Sequence, residues 1–195
     1  MEKNKNNMIT FKNKKGFTLI EVMVVTVVLV VGLLGILGML VYSIRAGATS
    51  QNRAVATYLA QEGLEAVRNI RDTNVFIDGP EAWDDSFSES DDERYYRVEF
   101  DFSSNRKWSL VGGVGPTQRL NEAAPQAGYR LYIDPDLNGY WNQGNTTDEP
   151  TNFYREIAVD RDSAQDLLEV VSKVLWIDQY GTHTIKMQED LYNWF

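Results

Sequence analysis

The chain has 195 residues, 43% of them apolar and 24% charged, with no cysteine and a formal net charge of −9. That length suits one compact domain with an appendage and is enough to bury a core. The lack of cysteine excludes a disulfide framework, thiolate zinc, iron–sulfur ligation and a cysteine nucleophile, and a single histidine, His183, excludes a multi-histidine metal site.

Charge is unevenly spread. Residues 1–15 carry Lys3, Lys5, Lys12, Lys14 and Lys15 against Glu2 alone, a net +4, while the other 180 residues sum to −13. A basic head, an apolar stretch and an acidic body are the pattern of a membrane-delivered protein. The stretch itself, Val22 to Val41, is twenty residues without a charge. As a helix it is about 30 Å long, the thickness of a bilayer's hydrocarbon core. The lysines before it fit the positive-inside rule, so the N-terminus is expected in the cytoplasm and everything after Arg45 across the membrane. Ala46-Gly47-Ala48 has the look of a signal-peptidase site. The apolar run, however, exceeds the ~7–15 residues of a signal-peptide core, and Arg45 stands where a neutral segment is required. The span is therefore expected to remain in the mature protein.

The informative residues lie where head meets span: Lys14-Lys15-Gly16-Phe17-Thr18-Leu19-Ile20-Glu21-Val22. A carboxylate at the edge of a span is unexpected on hydropathy, since burial at a helix centre costs about 2.5–3.5 kcal/mol and less near the interface. Two readings follow. Glu21 is an ordinary flanking charge that snorkels to the headgroups, or it is a carboxylate awaiting a cation supplied later.

This nine-residue stretch, with its small residue, aromatic and glutamate at fixed spacing before a span, resembles the processing and methylation signature of type IV pilins and type II secretion pseudopilins. The resemblance is close over residues 14–41 and architectural beyond. It implies that a membrane-embedded prepilin peptidase cuts between Gly16 and Phe17, that the same enzyme N-methylates Phe17, and that Glu21 pairs with the α-amine of Phe17 on a neighbouring subunit during assembly. The chemistry is compatible: Gly16 has no Cβ to obstruct a narrow protease cleft, and a charge pair in low dielectric is far stronger than in water. Before cleavage the α-amine is sixteen residues away. Many pilins break this helix with a proline, whereas here Gly32, Gly35 and Gly38 recur every third residue. They provide either local melting during packing, at about 1 kcal/mol of helix propensity each, or a small-residue stripe for close helix approach.

Residues 42–71 keep a helical period and become amphipathic. Ala56, Leu59, Ala60, Gly63, Val67 and Ile70 form the apolar face, and Glu62, Glu65, Arg68 and Arg71 read as solvated charges. Residues 72–94, with Gly79-Pro80 and the acids Asp84, Asp85, Glu89, Asp91, Asp92 and Glu93, read as an exposed loop. From Tyr95 the period shifts to strands, over 95–102, 107–113, 129–133, 154–159, 168–177 and 182–187, with a hairpin through Gln179-Tyr180-Gly181. The expected fold is α+β: one long helix whose second half packs on an antiparallel β-sheet head. The expected organisation is a leader at 1–16, a transmembrane or filament-core segment at 17–41, the amphipathic half-helix at 42–71 and a globular head at 72–195.

Asp134-Pro135-Asp136-Leu137-Asn138-Gly139 matches the first six positions of an EF-hand loop, but Asn145 stands at the twelfth. Asp134, Asp136 and Asn138 are the candidate calcium ligands, with Asp148 and Glu149 as further oxygens; a plain turn needs the same residue types. No other cofactor is expected. No nucleophile–base pair or phosphate loop is present, so no enzyme is expected, and the acidic head argues against nucleic acid. His183 reads as a surface or satisfied histidine. Tyr140, Trp141, Tyr192, Trp194 and Phe195 form either a contact surface or hairpin packing.

The expectation is thus a structural prepilin, nearer to minor pilins and pseudopilins than to major pilins. Its partners would be other pilin subunits, prepilin peptidase and an inner-membrane assembly platform. It would start as a single-pass inner-membrane protein and end in a surface pilus or periplasmic pseudopilus. The alternative is an uncleaved single-pass protein with an extracytoplasmic ligand-binding head.

Overall fold

A computed structural model of the chain describes residues 16–87, 92–101, 107–135, 140–143 and 148–193. It divides into two units, Met1–Ala48 and Thr49–Phe195, and one helix, α1 (Leu19–Asp78), contributes to both. The fold is α+β: α1 is followed by a seven-stranded antiparallel sheet.

No proline occurs between Leu19 and Asp78, so nothing interrupts the ladder. The helix ends where the chemistry requires it to. Gly79 takes φ 101, donates its N–H to the Val75 carbonyl at 3.1 Å, and is followed by Pro80, which cannot continue the helix. The expected end at Arg71 was too early, because the apolar period weakens there while the stop signal lies at Gly79-Pro80. The expectation of an exposed loop over 72–94 is corrected in the same way. Ala82, Trp83 and Phe87 are buried, and Asp84 is held against Arg161 at 2.5 Å.

The strands are β1 (Arg94–Asp101), β2 (Lys107–Val114), β3 (Arg130–Asp134), β4 (Tyr140–Asn142), β5 (Glu149–Asp162), β6 (Leu167–Asp178) and β7 (Gly181–Tyr192). The hairpin through Gln179-Tyr180 forms as expected, pairing Asp178 with Gly181. Strand β4 was not foreseen, and β5 and β7 are longer than their apolar patterns suggested. Strand β5 is central. One edge pairs with β6; the other is shared, taking β3 around residues 149–154 and β1 at 157–159.

Between those two partners the edge of β5 forks, and the amide of Gln143, 3% exposed, fills the fork. Gln143 donates to the carbonyls of Arg155 (2.7 Å) and Tyr129 (3.0 Å) and accepts from the Val98 N–H (3.3 Å). A side chain thus supplies bonds that a neighbouring strand would otherwise make, and spares buried backbone groups the 1–3 kcal/mol cost of going unpaired, by order of magnitude.

The sheet has two covered faces. On one, the expected apolar residues of α1, from Ala56 to Ile70, pack on Phe153, Ile157, Val159, Val170, Val174 and Trp176. Gly63 leaves no room for a side chain against the sheet: a Cβ there would meet Ser172 Oγ at 2.6 Å and Ile157 Cδ1 at 2.8 Å. Beside it Arg155, fully buried, bonds Glu62 at 2.6 Å and the Leu59 carbonyl at 3.1 Å. Glu62 is therefore a partner of a buried cation. Arg71, also expected in solvent, is 6% exposed and bonds Asp72, and Arg68 pairs with Glu65 and Glu189.

On the opposite face the segment 115–129 lies over a smaller cluster of Leu120, Tyr129, Tyr154 and Leu175. Two buried charges fasten it. Glu156 accepts the Leu120 N–H, while Lys173, its cross-strand neighbour, donates to the Leu120 carbonyl at 3.3 Å and pairs with Glu122 at 3.0 Å. Burial pushes the Glu156 carboxyl above its ordinary value of 4.5, against the pull of the Leu120 N–H and Lys173.

Gly63→Ala is expected to lower stability by about 1–3 kcal/mol, since the clash is with well-packed neighbours; thermal melting of the full chain in detergent checks this. Because the folded-state Glu156 pKa is raised, its contribution is fully present below the unfolded value and fades as pH rises through the folded one. The Glu156→Gln variant keeps an acceptor for Leu120 without the charge. Its melting temperature should therefore gain on the wild type as pH is raised from near 4.5 towards 8. A constant difference across that range would show that Glu156 does not titrate there.

Candidate functional site

The candidate site is the start of α1. Gly16, Phe17 and Thr18 precede the helix, and its first intrahelical bond runs from the Val22 N–H to the Thr18 carbonyl at 3.2 Å. Thr18 is the N-cap: its Oγ1 accepts the Glu21 N–H at 3.3 Å. Thr18-Leu19-Ile20-Glu21 therefore has the spacing of a capping box, with Glu21 at its third helical position. A carboxylate in the first turn is also favoured by the helix dipole, by about 0.3–1 kcal/mol. The position of Glu21 thus has a local cause. The role of Thr18 was missed from sequence, although its threonine-x-x-glutamate signal was there to be read.

The Gly16–Phe17 bond lies outside the helix, with the Phe17 side chain 81% exposed. Nothing in the fold demands a glycine at 16, since a Cβ there would meet no atom within 4 Å. The same holds at Gly32, Gly35 and Gly38. Their small size answers no packing need among the described residues.

Every residue from Gly16 to Ala48 is exposed, including the whole run of Val, Leu, Ile and Met side chains. Each such side chain left in water forgoes about 1.5–3 kcal/mol. The sum over the run exceeds the 5–15 kcal/mol by which a domain is usually stable. This stretch is long and apolar enough to cross a membrane, and none of it is covered by the other described residues.

The other expected sites fall elsewhere. Asp134 closes β3, half-buried, but Asp136 and Asn138 lie outside the described residues, so the calcium loop is not described. Asp148 accepts from Asn142 Nδ2 at 2.7 Å and Glu149 begins β5. Among the described residues no three His, Asp or Glu side chains gather as a metal site. His183 is satisfied: its ring stacks on Trp176 at 5.1 Å and bonds Asp178 at 3.1 Å. Hydrogen bonds from the Tyr180 and Gly181 backbone and from His183 lower the Asp178 pKa, outweighing a desolvation effect that is the largest single contribution. Of the C-terminal aromatics, Trp141 packs edge-on to Phe153, Tyr192 is half-exposed, and the side chains of Tyr140, Trp194 and Phe195 lie outside the described residues.

Residues 11–37 match the family model described as the prokaryotic N-terminal methylation motif. The chain therefore carries the signature of type IV pilins and pseudopilins, a structural class of protein, on a long apolar N-terminal helix that fits a transmembrane helix. No curated protein and no solved structure matches it.

Thr18→Ala is expected to cost the first turn about 1 kcal/mol. In micelles the Glu21 amide should then exchange with solvent several-fold faster, while amides beyond residue 26 keep their rates. Unchanged exchange at Glu21 would mean that the cap does not hold this turn.

Proposed function

We propose that the chain is a prepilin, a minor pilin or pseudopilin, processed after Gly16 and assembled into a filament through its apolar helices. The observation that carries this reading is the methylation motif at residues 11–37 at the head of a helix exposed on all sides to Ala48. In this reading prepilin peptidase hydrolyses the Gly16–Phe17 amide, releasing the basic leader 1–16 and leaving Phe17 with a free α-amine. Methylation of that amine retains its positive charge. An assembly platform in the inner membrane then adds the subunit to a growing filament.

Glu21 supplies the register. Both it and the new cation lie at the membrane edge, four residues apart in the chain. In low dielectric an unpaired charge is heavily penalised, and removing one partner of a buried pair typically costs about 3–5 kcal/mol. A neighbouring subunit settles where its Phe17 amine meets Glu21, and neighbouring registers leave both charges bare. Before cleavage the amine is far from that depth, so the leader blocks assembly. The basic leader is cytoplasmic, the segment 17–41 spans the membrane, and the head reaches the far side.

Intact mass with N-terminal fragmentation of protein from native membranes is expected to give a chain starting at Phe17, bare or one methyl heavier. A chain still starting at Met1, with the peptidase demonstrably active, would sink the proposal. Glu21→Gln should be cleaved normally yet reduce assembled filaments more than about a hundredfold, the minimum that a loss of about 3 kcal/mol implies. Normal filaments from that variant would remove Glu21 from assembly.

A further inference from the structure

Strand β7 is a free edge of the sheet: among the described residues it pairs with β6 and with no other strand. Its 12 residues are about twice the usual strand length. Its register with β6 runs unbroken from the Leu167–Tyr192 pair to the Asp178–Gly181 pair, without a bulge or a proline. Shortness, bulges and prolines are the devices that keep an edge from pairing with another chain. Strand β7 uses none of the three.

The ladder fixes which backbone groups face outward. Just beyond β7 the Asn193 N–H donates to the Asp166 carbonyl at 3.1 Å. Hydrogen-bonded and non-bonded positions alternate along an antiparallel pair. The odd-numbered residues of β7 therefore turn N–H and C=O towards β6, and Thr182, Thr184, Lys186, Gln188, Asp190 and Tyr192 turn theirs to the open edge. The side chains of this even-numbered row are exposed, while those between them, from His183 to Leu191, are half-buried or buried.

The charges of that row are poorly matched within the chain. Lys186 lies opposite Lys173 of β6, and Asp190 lies opposite Glu169. Like charges directly opposite one another are unfavourable. The acid nearest the two lysines is Glu122, whose carboxyl is held below its ordinary value chiefly by its bond to Lys173, with Lys186 a lesser influence. Glu169 accepts from the Gln188 amide at 2.7 Å. The opposite charges that Lys186 and Asp190 lack on β6 can be supplied from the open side.

We propose that the open edge of β7 pairs antiparallel with β7 of a second copy, about a two-fold axis through Gln188. Charge selects this register. It sets Lys186 of each copy against Asp190 of the other, with Thr184 against Tyr192 and Gln188 against itself. Moving the axis by one residue separates the charges, and moving it by two sets Lys186 against Lys186 or Asp190 against Asp190. Each even-numbered pair in the selected register can exchange two backbone hydrogen bonds. The same axis reverses α1 where it packs on the sheet. On the filament reading proposed above, the contact therefore joins subunits of separate filaments and not neighbours within one.

The test is disulfide capture in the full chain, which has no cysteine of its own, in detergent at less than one chain per micelle. In Gln188→Cys the two copies of the residue lie about 5.5 Å apart between Cα atoms, within disulfide reach, so mild oxidation should give a covalent dimer. Thr184→Cys alone should not, because its two copies are about 27 Å apart along the strands. Mixed with Tyr192→Cys, it should form the mixed dimer. In the Gln188→Cys background, Lys186→Asp or Asp190→Lys should slow capture about tenfold, and the two together should restore it. Each single reversal removes a like-charged neighbour from β6, so slower capture does not reflect a weakened fold. No dimer from Gln188→Cys, equal capture from Thr184→Cys alone, or capture indifferent to the reversals would overturn the proposal. Neither cleavage nor a filament is needed, so such a failure bears on β7 and leaves the reading of Gly16 and Glu21 to its own tests.

Discussion

A helix apolar on every face cannot remain in water. From Val22 to Val41 the first half of α1 carries no charge and offers no polar side on which it might lie against solvent, and none of the other described residues covers it. Its stability is therefore settled by its surroundings, and its length and composition fit a bilayer. That constraint gives meaning to the few polar groups at its start. Thr18 satisfies the Glu21 N–H, and Glu21 occupies the first turn where the helix dipole welcomes a carboxylate. In the proposed reading the remaining demand of Glu21, a cation at its own depth, is what a processed neighbour supplies.

The second half of the same helix meets the opposite requirement, because it has one apolar face and a sheet on which to place it. Gly63 sets the closeness of that seam, and the small residues Ala56 and Ala60 extend it. The seam also traps Arg155, which the helix answers with Glu62 and a backbone carbonyl. On the other face Glu156 and Lys173 anchor the segment 115–129. Buried charges of this kind contribute little net stability. Their effect is to specify a position, and here they specify how a helix and a loop sit on the same central strand.

The fork in the sheet shows why such devices are needed. Strand β5 is longer than either partner on its shared edge, so two short strands divide it and a gap remains. Gln143 closes that gap with an amide whose donor and acceptor imitate a peptide group. Nothing in the local sequence around Gln143 marks it as a buried ladder substitute. The same is true of Arg155, Glu156 and Lys173: charged residues in a strand ordinarily read as its solvent face. The capping role of Thr18, by contrast, and the helix stop at Gly79-Pro80 were written in recognisable local signals, and the apolar period drew attention away from them.

Local patterns by themselves determined the apolar span, the basic charge of the first fifteen residues, the apolar face of the amphipathic half-helix, the switch to strands and the Lys14–Val22 junction. Each depends on neighbours within a few positions, through periodicity, charge or spacing, and so survives without knowledge of the fold. The pairing of β5 with three strands, the burial of its charges, the extent of β5 and β7 and the anchoring of 115–129 were decided only by tertiary structure. They join residues far apart in the chain, such as Leu59 with Arg155 and Val98 with Gln143. Whether a charge at such a place faces water or a partner is fixed by what the distant segment brings to it, and no local pattern carries that information.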